Sequence, residues 1–145
     1  MPDVLLATDA DWIYDEVDAA LGATGTTVRR VRHGKDVLPT IDAEPELPDL
    51  VILDLQIGNM GGMATCMSIR LEEGADRLPH LPVLMLLDRD ADIFLARRSD
   101  ADGWLIKPVD AFRLRKAADA LLAGGEWKEA GAHAPMGTAD AADAV

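Results

Sequence analysis

Along this chain the apolar positions change period several times, and each change marks the border of an element. Three stretches are nearly unbroken apolar runs: "DVLLAT" (3 to 8), "DLVILD" (49 to 54) and "PVLMLL" (82 to 87). Such runs predict strands covered on both faces, as in a parallel sheet lying between helices. Two more polar stretches, "TTVRRV" (26 to 31) and "DGWLI" (102 to 106), predict strands nearer the sheet edges. Between the strands the period becomes helical. "DWIYDEVDAALGAT" puts Trp12 or Ile13, Val17, Ala20 and Leu21 on one side and meets a stop signal at Gly22. "DVLPTI", "MATCMSIRLEE", "ADIFLARRS" and "DAFRLRKAADALLA" predict four further helices, the first of them the weakest because Pro39 would break a helix interior. Ile93, Phe94 and Phe112, at helical spacing, read as core residues.

Five alternating units in 123 residues predict a five-stranded, doubly wound parallel sheet with right-handed crossovers and three α/β/α layers. Residues 1–123 read as one domain and residues 124–145, rich in Ala and Gly with little apolar periodicity, as a disordered tail. Trp127 is the one large apolar group of that tail, either packed back on the domain or kept for a partner.

Charge narrows the partners. A formal net charge of −12 repels phosphate backbones and anionic lipids, which argues against nucleic acid. No apolar run approaches the roughly 20 residues of a membrane span, and acids stand where a secretory signal would carry basic residues. The expected address is the cytoplasm. Basic residues gather in "VRRVRHGK" (28 to 35) and "FRLRK" (112 to 116), which read as solvated faces or as docking surfaces for an acidic protein. The single cysteine, Cys66, has no Cys or His partner at metal-ligand spacing and reads as a buried helical thiol.

Candidate chemistry is sought at the carboxyl ends of the strands, where open α/β sheets bind ligands. The first strand ends in Thr8 and Asp9 with Asp11 beyond, the third in Asp54, the fourth in Leu87 and Asp88, the fifth in Lys107-Pro108. Asp9 and Asp54 could hold a hard cation such as Mg²⁺, and Lys107 could aim a point charge at a phosphate or carboxylate.

With Asp9, "DLQIGNMGG", "PVLML" and "DGWLIKPVD" in these places, the chain resembles a response-regulator receiver domain over about residues 3 to 122. The resemblance implies a flavodoxin-like fold in which Asp54 accepts a phosphoryl group from a histidine kinase. It implies Mg²⁺ held by Asp9, Asp54 and the backbone carbonyl of Gln56, a phosphoryl contact from Lys107, and a cis bond before Pro108. It also implies output through the face of the fourth helix, fifth strand and fifth helix, which carries Arg97, Arg98, Trp104, Arg113 and Arg115. The chain departs from the family pattern at Thr8, where a second acid is usual, and at Leu87, where a hydroxyl is usual. Asp88 replaces a small residue, Trp104 a Tyr or Phe, and Gly58 a proline. These departures predict weak Mg²⁺ binding and an impaired phosphorylation switch. The expected function is that of an orphan single-domain response regulator in two-component signalling, with no output domain and a degenerate phosphoacceptor site. It would be no enzyme and would act as a binding module or accessory subunit of a larger assembly. The alternative is a phosphorylatable receiver, switched by a histidine kinase at Asp54 with Mg²⁺. A haloacid-dehalogenase-type phosphatase would need a second acid at Gln56.

Overall fold

The computed structural model describes residues 1–130. In chain order the elements are β1 (Asp3–Ala7), α1 (Asp11–Gly22), β2 (Thr27–Val31), α2 (Val37–Ala43), β3 (Leu50–Asp54), α3 (Gly62–Gly74), β4 (Val83–Leu87), α4 (Ile93–Arg98), β5 (Gly103–Ile106), α5 (Ala111–Leu122) and β6 (Trp127–Lys128). The sheet order is β2-β1-β3-β4-β5-β6, and every adjacent pair is parallel.

Strand period decides the layers. Leu5, Ala7, Val51, Leu53, Met85 and Leu87 face one side, where Val37, Ile41, Cys66, Ile69 and Ala96 of α2, α3 and α4 meet them. Leu6, Leu50, Ile52, Leu84, Leu86 and Leu105 face the other, against Ile13, Val17, Leu114, Ala117 and Leu121 of α1 and α5. The unbroken apolar runs of β1, β3 and β4 are thus central strands with two buried faces. Pro39 falls in the first turn of α2, where its missing N–H costs no helical bond.

The amino ends of β4 and β5 are clamped by ions. Asp102 Oδ2 accepts from Arg70 Nη2 (2.6 Å) and from the Val83 amide (2.8 Å). Glu73 Oε2 accepts from Arg70 Nη1 (2.7 Å) and the Leu81 amide (2.9 Å), and His80 pairs with both acids.

Three expectations are corrected and one alternative is decided. A sixth strand, Trp127–Lys128, extends the sheet, so residues 124–130, read as the start of a disordered tail, turn back after α5 and pair with β5; residues 131–145 lie outside the described residues. Phe94 and Phe112 are 57% and 62% exposed rather than core, because α4 and α5 turn Ala96 and Leu114 inward instead. Of the two residues left open for the first core position of α1, Ile13 fills it and Trp12 is exposed. Trp104, read as a residue of the partner face, is fully buried.

Candidate phosphoacceptor site

Asp54 closes β3 at the carboxyl edge of the sheet and is only 2% exposed. Its two oxygens have different partners. Oδ1 accepts from Lys107 Nζ at 2.7 Å, with the Gln56 amide at 3.3 Å. Oδ2 accepts from the hydroxyl of Thr8 at 2.8 Å, and Thr8 is itself fully buried. The same hydroxyl oxygen accepts from the Ala10 amide at 3.1 Å, so both its capacities are in use. Thr8, expected only as a lost acid, is a dedicated donor to Asp54.

Lys107 is delivered by β5, its amide donating to the Leu87 carbonyl at 2.8 Å, and the bond to Pro108 is cis as the resemblance implied. Its ammonium donates a second time, to Asp88 Oδ1 at 2.8 Å. Burial alone would push the Lys107 ammonium down, but the hydrogen bonds and charges of Asp54 and Asp88 outweigh it and raise its pKa above the ordinary lysine value. Asp88, read from the sequence as an acid that repels phosphate, is thus also a partner of Lys107. Leu87 is fully buried in the core, an apolar side chain at the position where the family usually carries a hydroxyl.

Asp9 is exposed, and its Oδ2 accepts from the Gly58 amide at 3.2 Å. Asp11 takes no part: Arg30 and Arg32 hold its Oδ1 at 2.8 and 3.2 Å, and the Arg30 bond, ahead of that from Arg32, lowers its pKa. The donor set fits Mg²⁺ poorly. Both oxygens of Asp54 are engaged, Thr8 brings no charge, and among the described residues no three His, Cys, Asp or Glu side chains converge as a cation site.

The loop from Gln56 to Gly61 is held by a neighbouring turn that the sequence did not single out. The Gly34 amide donates to Gly58 O (3.2 Å) and the Lys35 amide to Asn59 O (2.8 Å), while the Asn59 amide group and a His33 ring nitrogen pair at 3.0 Å. A Cβ on Gly34 would lie 1.6 Å from Met60 O, so only glycine permits this approach. Asn59 and Met60 are left-handed, with φ of 52° and 78°, a conformation that this clamp holds.

The expected partner face is divided. Arg97 and Arg98 of α4 are exposed, and Arg115 of α5 is half-buried. Trp104 instead lies under the Arg97 guanidinium (5.7 Å from the ring centre) and the Lys128 ammonium (5.8 Å). Arg113 spends its fork internally, on Glu129, Asp110 and the carbonyls of Ile106 and Pro108. Both are engaged by the segment that carries β6, Trp104 through its indole N–H to the Glu129 carbonyl and Arg113 through the Glu129 carboxylate, and no pattern in the Ala- and Gly-rich tail announced a strand there.

Residues 4–119 match the family described as the response regulator receiver domain. The transcriptional regulatory protein AfsQ1 of Streptomyces coelicolor is 31% identical over 128 residues, which is 87% of this chain and 53% of that protein. Protein PilH of Pseudomonas aeruginosa is 26% identical over 86% of this chain and 100% of its own length. The chain spans about half the length of the first curated relatives it matches. Among solved structures, the chemotaxis response regulator CheY4 of Vibrio cholerae superposes with a TM-score of 0.72 at 24% identity, over 82% of this chain and 97% of that one. A signal receiver domain of a signal transduction histidine kinase from Syntrophus aciditrophicus gives 0.73 at 25% identity, over 86% and 92%. No helix among the described residues is long and apolar enough to cross a membrane. Receiver domains are modules of two-component signalling that interact with histidine kinases and other proteins and bind Mg²⁺ at the phosphorylation site, and by sequence, fold and the seating of Asp54 beside Lys107 this chain belongs to the response-regulator receiver family.

Proposed function

We propose that this chain is an atypical receiver: a protein-binding module of two-component signalling whose Asp54 site is kept closed by its own side chains. The observation that carries this reading is Lys107 Nζ bonded to Asp54 and Asp88 at once, at 2.7 and 2.8 Å. The cation that would face a phosphoryl group is already neutralised by two internal carboxylates, and Thr8 fills the other Asp54 oxygen. Leu87 offers no hydroxyl to a phosphoryl oxygen. Asp88 also repels an incoming dianion, by about 4 kcal/mol for two unit charges ~4 Å apart near a protein surface. Output then runs through the basic part of the α4–β5–α5 face, the exposed Arg97 and Arg98 and the half-buried Arg115, towards an acidic protein surface. Mg²⁺ binds weakly, nucleic acid does not bind, and the module works in the cytoplasm.

A second reading, a receiver switched at Asp54 by a histidine kinase, is favoured by Asp54, Asp9 and the cis Lys107-Pro108 bond all standing at the sheet edge. In it a phosphoryl group moves from a kinase histidine nitrogen to an Asp54 oxygen, breaking the P–N bond and forming P–O. Incubation with Mg²⁺ and acetyl phosphate, followed by intact mass and amide NMR, separates the two. Little adduct and unmoved Trp104 signals are expected. A stoichiometric adduct on Asp54 with shifts reaching Trp104 would overturn the closed-site reading in favour of the switch.

A further inference from the structure

The outer edge of β5 is taken by the chain itself. After α5 the backbone turns at Gly124, with φ of 86°, and lays β6 parallel to β5 so that Gly103 pairs with Trp127 and Trp104 with Lys128. The Trp127 amide donates to Asp102 O at 3.3 Å. Glu129 completes the contact. Its carbonyl accepts the Trp104 indole N–H at 2.8 Å, and its carboxylate accepts from the Ile106 amide at 3.0 Å and from Arg113 Nε at 2.8 Å, with Arg113 Nη2 as a further donor.

The receiving side is built for an extended backbone. A Cβ on Gly103 would lie 2.6 Å from Trp127 O and 3.2 Å from its N, so glycine there makes room for the added strand. The occupant is seated less well. β6 is two residues long, and the buried indole N–H of Trp127 has no hydrogen-bond partner. We infer that the β5 edge is a strand-addition site for an extended acidic segment of a partner protein, and that Trp127 to Glu129 occupy it in cis. The inference rests on the reading of the α4–β5–α5 face as the output surface. Recognition needs a carboxylate delivered to Arg113 and the Ile106 amide, a backbone carbonyl at Trp104, and backbone alone over Gly103. Arg97, whose guanidinium lies 5.7 Å from the Trp104 ring centre, gives the rim a charge opposite to that of such a segment, in a chain whose net charge is −12. The tethered segment competes at high effective concentration, so the partner binds when it is out.

The test titrates a labelled, end-capped peptide of the sequence Gly125 to Ala130 into the full-length chain and into its full-length Trp127→Ala/Glu129→Ala variant, read by fluorescence anisotropy. The variant is expected to bind saturably and about tenfold or more tighter than the unmodified chain. A peptide carrying Glu129→Gln is expected to lose about tenfold. Equal binding to both chains, or none to a folded variant, would overturn the inference. Hydrogen exchange on the unmodified chain decides the matter even if the variant does not fold. The Trp127 and Ile106 amides are expected to exchange about tenfold or more faster than the β4 amides, through opening of β6 alone. Exchange of both only at the β4 rate would make β6 a fixed part of the sheet and end the proposal. The acetyl phosphate experiment addresses Asp54 alone, so either reading can fail without the other.

Discussion

Asp88 and Asp54 share one ammonium: Lys107 Nζ stands 2.8 Å from the first and 2.7 Å from the second. A cation held by two carboxylates has little attraction left for a third anion. Replacing Asp88 by Ala and Leu87 by Thr frees half of the lysine and restores a hydroxyl donor. The double variant is expected to raise the initial rate of Asp54 phosphorylation by acetyl phosphate in Mg²⁺ by about tenfold, which corresponds to about 1.4 kcal/mol of relieved barrier. Intact mass spectrometry over time reads it; an unchanged rate would show that something other than Asp88 and Leu87 limits the site.

Thr8 is the next control point, since its hydroxyl is a buried donor to Asp54 Oδ2. Thr8→Val removes that bond and is expected to cost about 1–2 kcal/mol in urea unfolding. Thr8→Asp sets a second acid against Asp54, and is expected to destabilise the chain in EDTA and to regain stability with Mg²⁺, which binds only the folded site. Thermal unfolding with and without Mg²⁺ compares the two; a Thr8→Asp protein indifferent to Mg²⁺ would contradict this account.

Alkaline pH probes Cys66, whose thiol donates to Ser99 O at 3.2 Å inside the core. Burial pushes its pKa from 9.0 up to about 11. The folded state therefore keeps a proton that the unfolded chain releases, so the contribution is whole below about pH 9 and is lost as pH rises towards 11. A shift of this size corresponds to about 2–3 kcal/mol. Urea midpoints across this window are expected to fall less steeply for Cys66→Ala than for the parent. Lys107, also raised, adds its own loss only above its ordinary 10.5 in both proteins.

Arg70 holds Asp102 and Glu73 together at 2.6 and 2.7 Å, with only 13% of its side chain exposed. Arg70→Met leaves two half-buried acids facing each other, and is expected to cost about 3 kcal/mol. Because the acids repel, the loss is expected to shrink when Asp102 is also changed to Asn, a coupling that a double-mutant cycle measures.

Much of this was legible in the sequence for a physical reason. Strands buried on both faces must be apolar throughout, so β1, β3 and β4 stood out, and with them the strand-end residues Asp9 and Asp54, while Lys107 was reached through the shorter, more polar run of β5. What escaped notice depends on where a side chain points. The same Asp88 that repels phosphate also binds Lys107, and period alone could not tell Phe94 and Phe112 from core residues when small Ala96 and long Leu114 turn inward. β6 was hidden because its pairing rests on Gly103, a residue that records a neighbour's approach by lacking a side chain, and on Glu129, one of several acids in the Ala- and Gly-rich tail.

The turn at Gly34 has a wider effect than the hydrogen bonds it makes. With Gly58 and Asn59 fastened to it and Met60 fixed in a left-handed conformation, the loop that follows Asp54 is held in one shape by the fold itself. Any molecule that reads this loop meets a surface already ordered, so association there carries little entropic penalty for loop closure. A residue some 20 positions before Asp54 in the chain thereby sets the rigidity of the loop beside it.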